Sequence, residues 1–304
     1  MPSVHLPAFA KVNLCLHVLG KRPDGYHELR TIFQAISLHD TLRISLERRG
    51  RDELAVHPAM DLSEADLAGL AGPGNLIWKA IQALRRELGA RSRVRVDLVK
   101  RIPIGRGLGG GSSDAAATLI GLLRLTGRKL PSARLVEIAA SLGADVPFFL
   151  FGGRALGVSR GDEIYPLPDL PRHSILVVSP RDISVSTREA YRWVSRRLTK
   201  GEEASKLWGF CALCWSPLGT GVSNDFEAGV FRRHPRLSRI KRELLERGAV
   251  EAALAGSGSA VFGVFPSPAQ ARRAAQRFPK DRIFVCTTLS RQEYRRGLYG
   301  RSGA

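Results

Sequence analysis

The sequence is poor in cysteine, in acidic residues and in long apolar runs. Only four of its 304 residues are cysteines, and only Cys211 and Cys214 lie close together, so no disulfide framework is expected. No apolar run approaches the roughly 20 residues that cross a bilayer, and the opening segment lacks the basic and apolar stretches of a secretory signal. We therefore expect a protein of the reducing cytoplasm that has no membrane partner.

Basic residues clearly outnumber acidic ones. The chain has 47 Lys and Arg against 28 Asp and Glu, and a formal net charge of +19. Such a charge attracts polyanions, so nucleic-acid binding, binding of a small polyphosphate and a merely solvated basic surface are all open interpretations. Arginine is spread through every segment, with modest clusters at 188–200, 232–247 and 291–301. Because a nucleic-acid binder usually gathers its charge on one patch or tail, this spread disfavours a specific nucleic-acid partner.

Hydrophobic periodicity predicts an α+β chain of two domains, 1–160 and 161–304. Apolar residues alternate from Ala10 to Val18 and predict a half-buried strand, whose other face carries Lys11 and Asn13. Helical spacing predicts further elements in the first domain. These elements are helices at 76–88 and 133–142 and a helix of about 14 residues that ends at Gly127.

The second half of the chain predicts a split β-α-β fold. Apolar strands at 175–178, 252–255, 260–265 and 283–288 alternate with amphipathic helices in the order β-α-β-β-α-β. Residues 200–222 carry two tryptophans and the Cys-Ala-Leu-Cys element, and interrupt this order as an insertion. A single Cys-x-x-Cys without a second ligand pair does not indicate a zinc site, so we expect no protein-bound metal.

A glycine-dense loop at 105–111 precedes the helix that ends at Gly127. Glycines let backbone N–H groups converge, Ser112 or Ser113 can cap the helix, and the helix N-terminus adds partial positive charge. This combination predicts a phosphate cradle. The dinucleotide pattern is met only formally because the acidic residue about 20 positions on is missing, and no lysine follows the glycines as in a P-loop.

Three segments together resemble the signature motifs of the GHMP small-molecule kinases. They are residues 10–29 with Gly-Lys-Arg-Pro-Asp-Gly-Tyr-His, residues 103–117 and residues 254–263 with Leu-Ala-Gly-Ser-Gly-Ser. The resemblance implies a two-domain fold with a first domain like ribosomal protein S5 domain 2 and a ferredoxin-like second domain. The Gly-Lys-Arg-Pro-Asp-Gly-Tyr-His element resembles the motif of one branch of the family, whose members phosphorylate the 2-hydroxyl of a cytidine-diphosphate sugar alcohol for isoprenoid synthesis.

That resemblance implies ATP and Mg²⁺ as cofactors and a monomer or weak homodimer as the working unit. It also implies Asp145 as the base that takes the hydroxyl proton and Lys11 as its electrostatic partner. From the residues alone, Asp145 could cap a turn beside an apolar run and Lys11 could lie on a solvated strand face.

Binding residues also follow from the resemblance, and they fall into two groups. The implied ATP-binding residues are Asn75, Lys100, Pro103, Gly105, Gly107, Leu108, Gly109, Gly110, Gly111, Ser112 and Ser113. The implied substrate-binding residues are Asn13, Tyr26, His27, Thr187, Tyr191, Gly256, Ser257 and Gly258. The resemblance assigns Tyr26, His27 and Tyr191 to the cytosine ring, which stacking on aromatic side chains stabilises.

Several of these residues have a purely structural alternative. Asn75 could be a helix cap, Lys100 a surface charge, Tyr191 a helix-packing residue and the turn at 256–258 a simple hairpin. Two other functions also stay open: another GHMP-type small-molecule kinase, and a non-catalytic polyanion or nucleic-acid binder on the same scaffold. The second alternative predicts binding that weakens steeply with salt.

Overall fold

Two long paired strands organise the first half of the molecule. The computed structural model describes residues 2–47, 50–62, 64–89, 92–195 and 221–300. Strand β1 (Ser3–Lys21) pairs antiparallel with β2 (His27–Glu47), and register shifts beside Ala10, Asn13 and Val18 bend the pair. The prediction of a half-buried β1 was wrong, because both faces of its middle section are buried. The loop at 105–111 and the second domain cover the face of Lys11.

The other strands complete two sheets. They are β3 (Glu53–Pro58), β4 (Arg93–Lys100), β5 (Arg154–Ser159), β6 (Glu163–Pro166), β7 (Ser174–Ser179), β8 (Ser223–Asn224), β9 (Glu251–Leu254), β10 (Val261–Phe265) and β11 (Arg282–Thr287). The first sheet has the order β3-β4-β2-β1-β8, and β5 and β6 join it through β2. The second sheet has the antiparallel order β11-β7-β10-β9, which confirms the predicted split β-α-β fold.

Helices pack on these sheets and bury their apolar faces. Among the described residues they are α1 (Glu64–Ala71), α2 (Leu76–Leu88), α3 (Gly110–Thr126), α4 (Ser132–Leu142), α5 (Phe148–Phe151), α6 (Thr187–Ser195), α7 (Phe226–Arg233), α8 (Pro235–Glu246), α9 (Pro268–Ala275) and α10 (Arg291–Tyr299). The predicted bounds of α2 are confirmed at both ends. Helix α3 begins at Gly110, so Ser112 and Ser113 lie inside its first turn, and the prediction that one of them caps it was wrong.

The predicted domain boundary at residue 160 stays a prediction, and the chain on both sides of that residue belongs to the first sheet. Strand β6 pairs with β5, so residue 160 falls inside a hairpin of the first sheet, and the chain enters the second sheet only at β7. The basic segment after residue 290 forms α10, which returns to the first domain. There Tyr294 is buried in the core and its hydroxyl donates to the Phe149 carbonyl at 2.7 Å.

The expected insertion at 200–222, with Cys211 and Cys214, lies almost wholly outside the described residues, which resume at Gly221. Within the described ranges, no helix combines the length and the apolar character that a membrane crossing requires.

An ion pair joins β1 to the residue that follows β8. The His17 Nδ1 atom lies 3.3 Å from Asp225 Oδ1. Burial opposes a charge on His17, but hydrogen bonds to Asp225 and Cys15 outweigh it and raise the pKa of His17 from 6.5 to about 9. The imidazolium therefore stabilises the folded state at neutral pH.

This ion pair predicts a fall in stability on the alkaline side. A raised folded-state pKa adds stability that is fully present below about pH 6.5 and is lost as the pH rises through about 9. We expect the free energy of unfolding to fall by up to about 3 kcal/mol over that window, and His17→Gln to flatten the profile. Urea denaturation at several pH values measures this. The exposed His57→Gln is the control, and parallel wild-type and His17→Gln profiles would contradict the assignment.

A glycine in the middle of α3 sets the distance between that helix and the sheet. A Cβ atom at Gly121 would come within 2.7 Å of side-chain carbons of Leu6 and Ile44, whereas one at Gly69 in α1 would meet nothing within 4 Å. Gly121→Ala should therefore lower the free energy of unfolding by about 1–3 kcal/mol through overpacking, although alanine favours helix. Gly69→Ala should leave the free energy of unfolding unchanged or raise it by up to about 1 kcal/mol. Thermal unfolding of both variants tests the contrast, which equal shifts would refute.

Candidate active site

A cleft of about 950 Å³ lies between the two sheets. It is bounded by the middle of β1, the start of β2, the glycine loop, the segment before α5, the start of α6 and the turn after β9. The predicted site residues that line it are Lys11, Asn13, Tyr26, His27, Gly105, Gly107, Gly109, Ser112, Asp145, Thr187, Tyr191, Gly256 and Ser257. Residues from all three motif segments thus face one space, although they are far apart in the sequence.

The Lys11 ammonium lies at the centre of this cleft. Its side chain is only 4% exposed, and its Nζ atom donates to Asn13 Oδ1 at 2.7 Å and lies 3.5 Å from Asp145 Oδ2. The Asn13 amide in turn donates to Thr31 Oγ1 at 2.8 Å, which fixes its orientation. The Phe33 ring packs 5.5 Å from the ammonium. Lys11 is therefore held in one position by neighbours on β1 and β2, and it is not a solvated strand lysine.

Asp145 approaches Lys11 from the turn between α4 and α5. Gly143 ends α4, and the chain then turns through Asp145 into the buried Phe148. The Asp145 side chain is 36% exposed, although the residues that follow it are apolar and buried. One side of the carboxylate faces the Lys11 ammonium and the rest faces the open cleft. This position leaves the carboxylate accessible to a ligand.

The glycine loop packs directly against the turn that follows β9. A Cβ atom at Gly107 would lie 1.8 Å from the Ala255 carbonyl oxygen, and Gly107 has a φ of +80°. The Lys11 backbone N–H donates to the Leu108 carbonyl at 3.0 Å, and the Ala260 N–H donates to the Arg106 carbonyl at 3.3 Å. The loop is thus tied to β1 on one side and to the second domain on the other.

A buried charge cluster lies beneath the first turn of α3. The Lys100 ammonium is 2.5 Å from Asp40 Oδ2 and 2.7 Å from Asp114 Oδ2, and all three side chains are buried. Burial raises the pKa of the Asp114 carboxyl to about 7, although the Lys100 charge opposes this shift. Burial also opposes the charge on Lys100, but the two carboxylates outweigh it and raise its pKa.

The alternative of a surface charge at Lys100 was therefore wrong. The implied contact of Lys100 with ATP stays a prediction, and this burial does not favour it.

Asn75 caps α2, because its Oδ1 atom accepts from the Ile77 N–H at 2.9 Å. Some predicted ATP or substrate residues lie around the loop and turn without lining the cleft. They are Asn75, Lys100, Pro103, Leu108, Gly110, Gly111, Ser113 and Gly258.

Aromatic rings gather at the opposite end of the cleft. His27 stacks on Tyr191 with ring centres 4.7 Å apart, and the Phe226 ring packs at right angles to that of Tyr191 with ring centres 4.9 Å apart. Burial and the nearby Lys21 charge lower the pKa of His27, so its ring is neutral at neutral pH and can both donate and accept hydrogen bonds. Tyr26 is 56% exposed, and the Arg160 guanidinium lies 5.0 Å from the centre of its ring.

Several residues of the cleft were not predicted from the sequence. Phe226, Arg160, Arg188, Thr31 and Phe33 all line it. The sequence around them has no distinctive spacing, because each one reaches the cleft through sheet pairing or helix packing. Arg188 does follow Thr187 at the start of α6, so the expected substrate contact at Thr187 could have drawn attention to it.

A glycine loop at a helix N-terminus, with an ammonium and a carboxylate beside it in one cleft, is typical of a small-molecule phosphotransferase. The family model for the GHMP kinases N terminal domain matches residues 75–153, and the model for the GHMP kinases C terminal matches residues 207–282. GHMP kinases use ATP.

Individual proteins are similar over nearly the whole chain. A 4-diphosphocytidyl-2-C-methyl-D-erythritol kinase of Solibacter usitatus is 45% identical, covering 96% of this chain and 90% of its own. The enzyme of the same name from Moorella thermoacetica is 41% identical, covering 91% and 95% of the two chains. The chain therefore belongs to the family of 4-diphosphocytidyl-2-C-methyl-D-erythritol kinases, within the GHMP kinases, and is an enzyme.

Solved structures agree with this assignment. A crystal structure of 4-(cytidine 5'-diphospho)-2C-methyl-D-erythritol kinase superposes with a TM-score of 0.75 at 35% identity, covering 94% of this chain and 99% of that one. A homoserine kinase from Cytophaga hutchinsonii superposes with a TM-score of 0.74 at 18% identity, covering 95% of both chains. At that identity the second match shows the fold alone.

The tight contact at Gly107 predicts unequal effects of two similar substitutions. Gly107→Ala places its methyl group against the Ala255 carbonyl and should weaken ATP binding about tenfold or more, because the loop must move away from β1 and the turn. Gly105 also has a positive φ, but a Cβ atom there would meet nothing within 4 Å. Gly105→Ala should therefore lower the free energy of unfolding by the backbone strain of about 1–2 kcal/mol, but change the affinity for ATP less than about threefold. Calorimetric titration with ATP compares the two variants, and equal losses would contradict a steric role for Ala255.

Proposed function

We propose that this enzyme transfers the γ-phosphoryl group of ATP to the 2-hydroxyl of 4-diphosphocytidyl-2-C-methyl-D-erythritol, a step in isoprenoid precursor synthesis. The observation that carries the proposal is the Lys11–Asp145 pair, 3.5 Å apart, between the glycine loop and the aromatic group of Tyr26, His27 and Tyr191. The names of the relatives and the order of the three motifs support the same substrate.

Phosphoryl transfer depends chiefly on positioning and on neutralising charge. The partly exposed Asp145 carboxylate would accept the proton of the substrate hydroxyl as that oxygen bonds to the γ-phosphorus, the bond from this phosphorus to the β-phosphate oxygen breaks and ADP leaves. The Lys11 ammonium would stabilise the negative charge on the attacking oxygen and the transferred group. Since Lys11 is fixed by Asn13 and Thr31, this charge is preorganised and needs little rearrangement during the reaction.

The phosphates would bind at the glycine loop and the N-terminus of α3. Backbone N–H groups of the first turn have no acceptor within the helix, and the helix dipole favours anions there. Ser112 lines the cleft on this turn and can donate its hydroxyl hydrogen. The Gly256–Ser257 turn faces the loop, and the Ser257 hydroxyl lies 3.0 Å from that of Thr187. Both residues line the cleft and would contact the substrate.

The cytosine would bind at the aromatic end of the cleft. Tyr26 and Tyr191 offer ring faces for stacking, which contributes about 1–3 kcal/mol per base. The neutral His27 ring can donate to and accept from the edge of the base. The stack of His27 on Tyr191 supports recognition of a flat heterocycle by this group of rings.

Mg²⁺ would accompany ATP and neutralise charge on its phosphates. The cleft offers the oxygen donors that this ion prefers, the Asp145 carboxylate and the Ser112 hydroxyl. Among the described residues, no group of three His, Cys, Asp or Glu side chains could hold a metal ion. The phosphates themselves would therefore supply most of the other ligands.

Replacement of the catalytic base, Asp145, and of its partner Lys11 tests the proposal. Asp145→Asn keeps the size of the side chain but cannot take a proton, and Lys11→Met removes the fixed charge. Each should lower kcat by about 10²–10⁴-fold without loss of the fold. A coupled assay of ADP release with Mg-ATP measures the rates. Asp97→Asn, on the outer face of the first sheet, is the control. An Asp145→Asn rate near that of the wild type would exclude Asp145 as the base.

Substrate specificity is tested with a panel of alcohols. The full cytidine diphosphate substrate should be phosphorylated, whereas 2-C-methyl-D-erythritol without the cytidine group should react far more slowly, because it leaves the aromatic end of the cleft empty. Equal rates with the truncated alcohol would favour another GHMP-type small-molecule kinase. Absence of ADP release, with salt-sensitive binding of polyanions, would favour a non-catalytic function.

A further inference from the structure

The segment 223–227 crosses from the first sheet to the second domain beside the cleft. Its first two residues form β8, which pairs in parallel with Cys15 and Leu16 of β1. The Asp225 N–H then donates to the Leu16 carbonyl, and the Asp225 carboxylate accepts from the Val18 N–H, both at 2.9 Å. The segment is therefore fixed to β1, the same strand that carries Lys11.

Asn224 connects this segment to the turn that follows β9. Its Nδ2 atom donates one hydrogen bond to the Leu254 carbonyl at 2.8 Å and one to the Gly256 carbonyl at 2.7 Å. Its Oδ1 atom accepts from the Phe226 N–H at 2.9 Å. The side chain is buried, and both of its donor hydrogens are used.

The turn held by Asn224 touches the reacting end of the cleft. A Cβ atom at Gly256 would lie 3.3 Å from the Lys11 ammonium and 3.0 Å from the Gly107 carbonyl oxygen. The Gly258 N–H closes the same turn by donating to the Ala255 carbonyl at 2.9 Å. Any displacement of the Gly256 carbonyl therefore moves the backbone that faces the phosphates and Lys11.

The other end of the Asn224 side chain leads to the aromatic end of the cleft. Phe226, whose N–H is bonded to Asn224, is buried, and its ring packs at right angles to that of Tyr191. Tyr191 in turn stacks on His27. The Asn224 side chain thus contacts the backbone of the turn at the phosphate end of the cleft. It also contacts the backbone of Phe226, which packs on Tyr191 at the aromatic end.

We propose that Asn224 is a positioning residue for phosphoryl transfer, which fixes the Gly256–Gly258 turn relative to Lys11 and to the aromatic rings. The proposal rests on the proposed function. An asparagine is required here because the two neighbouring acceptors are carbonyl oxygens and the third partner is an N–H donor. An aspartate of the same shape would place a carboxylate against two carbonyl oxygens and lose both hydrogen bonds.

The test compares Asn224→Asp with Glu227→Gln. The Glu227 carboxylate accepts from the Leu254 N–H at 2.9 Å, and thus contacts the same strand without touching the turn. For Asn224→Asp we expect kcat to fall about 10- to 100-fold while the KM for ATP changes less than threefold. Glu227→Gln should lower the melting temperature and keep kcat within about twofold of the wild type.

Amide hydrogen exchange supplies a readout that does not need the substrate. The Gly258 N–H should exchange about tenfold faster or more in Asn224→Asp than in the wild type, while amides of β11 keep their protection. If Asn224→Asp does not fold, Asn224→Ser, which keeps one donor and leaves space, replaces it with the same expectations. A folded variant with normal kcat and normal Gly258 exchange would overturn the proposal, as would equal losses of kcat in the Asn224 and Glu227 variants.

These outcomes separate the two proposals. If the wild-type enzyme does not phosphorylate the cytidine substrate, the proposed function fails, and faster exchange at Gly258 would then show only that Asn224 holds the turn. If the wild type is active and Asn224→Asp retains its kcat, the proposed function stands and the positioning role fails.

Discussion

The structure of the site depends on the close approach of two backbone segments from different domains. Gly107 packs against the Ala255 carbonyl, and no side chain fits between them. Lys11 lies beside this contact, since its N–H is bonded to the loop and its ammonium lies near Gly256. The contact between Gly107 and Ala255 therefore sets the width of the cleft at its phosphate end. The same two segments set the position of the Lys11 ammonium.

Two buried lysines near this contact differ in what surrounds their charges. Lys100 is hydrogen-bonded to two buried carboxylates, so its charge is compensated within the protein. One of these carboxylates belongs to Asp114, so the ion pair fixes the start of α3 to β4. Lys11 has one half-exposed carboxylate and one neutral amide as neighbours. Because burial of a charge is costly unless it is compensated, the less compensated ammonium is the one suited to an anionic ligand.

Local sequence patterns were sufficient for most of the elements near the site. The periodicity of 76–88 and the order of strands and helices after residue 170 were predicted correctly, because each buries its apolar face on one side. The same patterns failed at the start of α3, where Gly109 is at the N-cap position and no side chain caps the helix. They also do not reveal that α10 returns to the core of the first domain, because this is a long-range contact.

The sequence by itself determined the chemistry available to this protein: a flexible glycine loop before a helix, an amine within a strand, a carboxylate before an apolar run and aromatic residues after a turn. Only the tertiary structure decided that Lys11 and Asp145 meet, that Lys100 is buried and that Asn224 holds the turn beside Gly256. The physical reason is that periodicity and capping act over a few residues, whereas these distances result from the packing of whole sheets and helices.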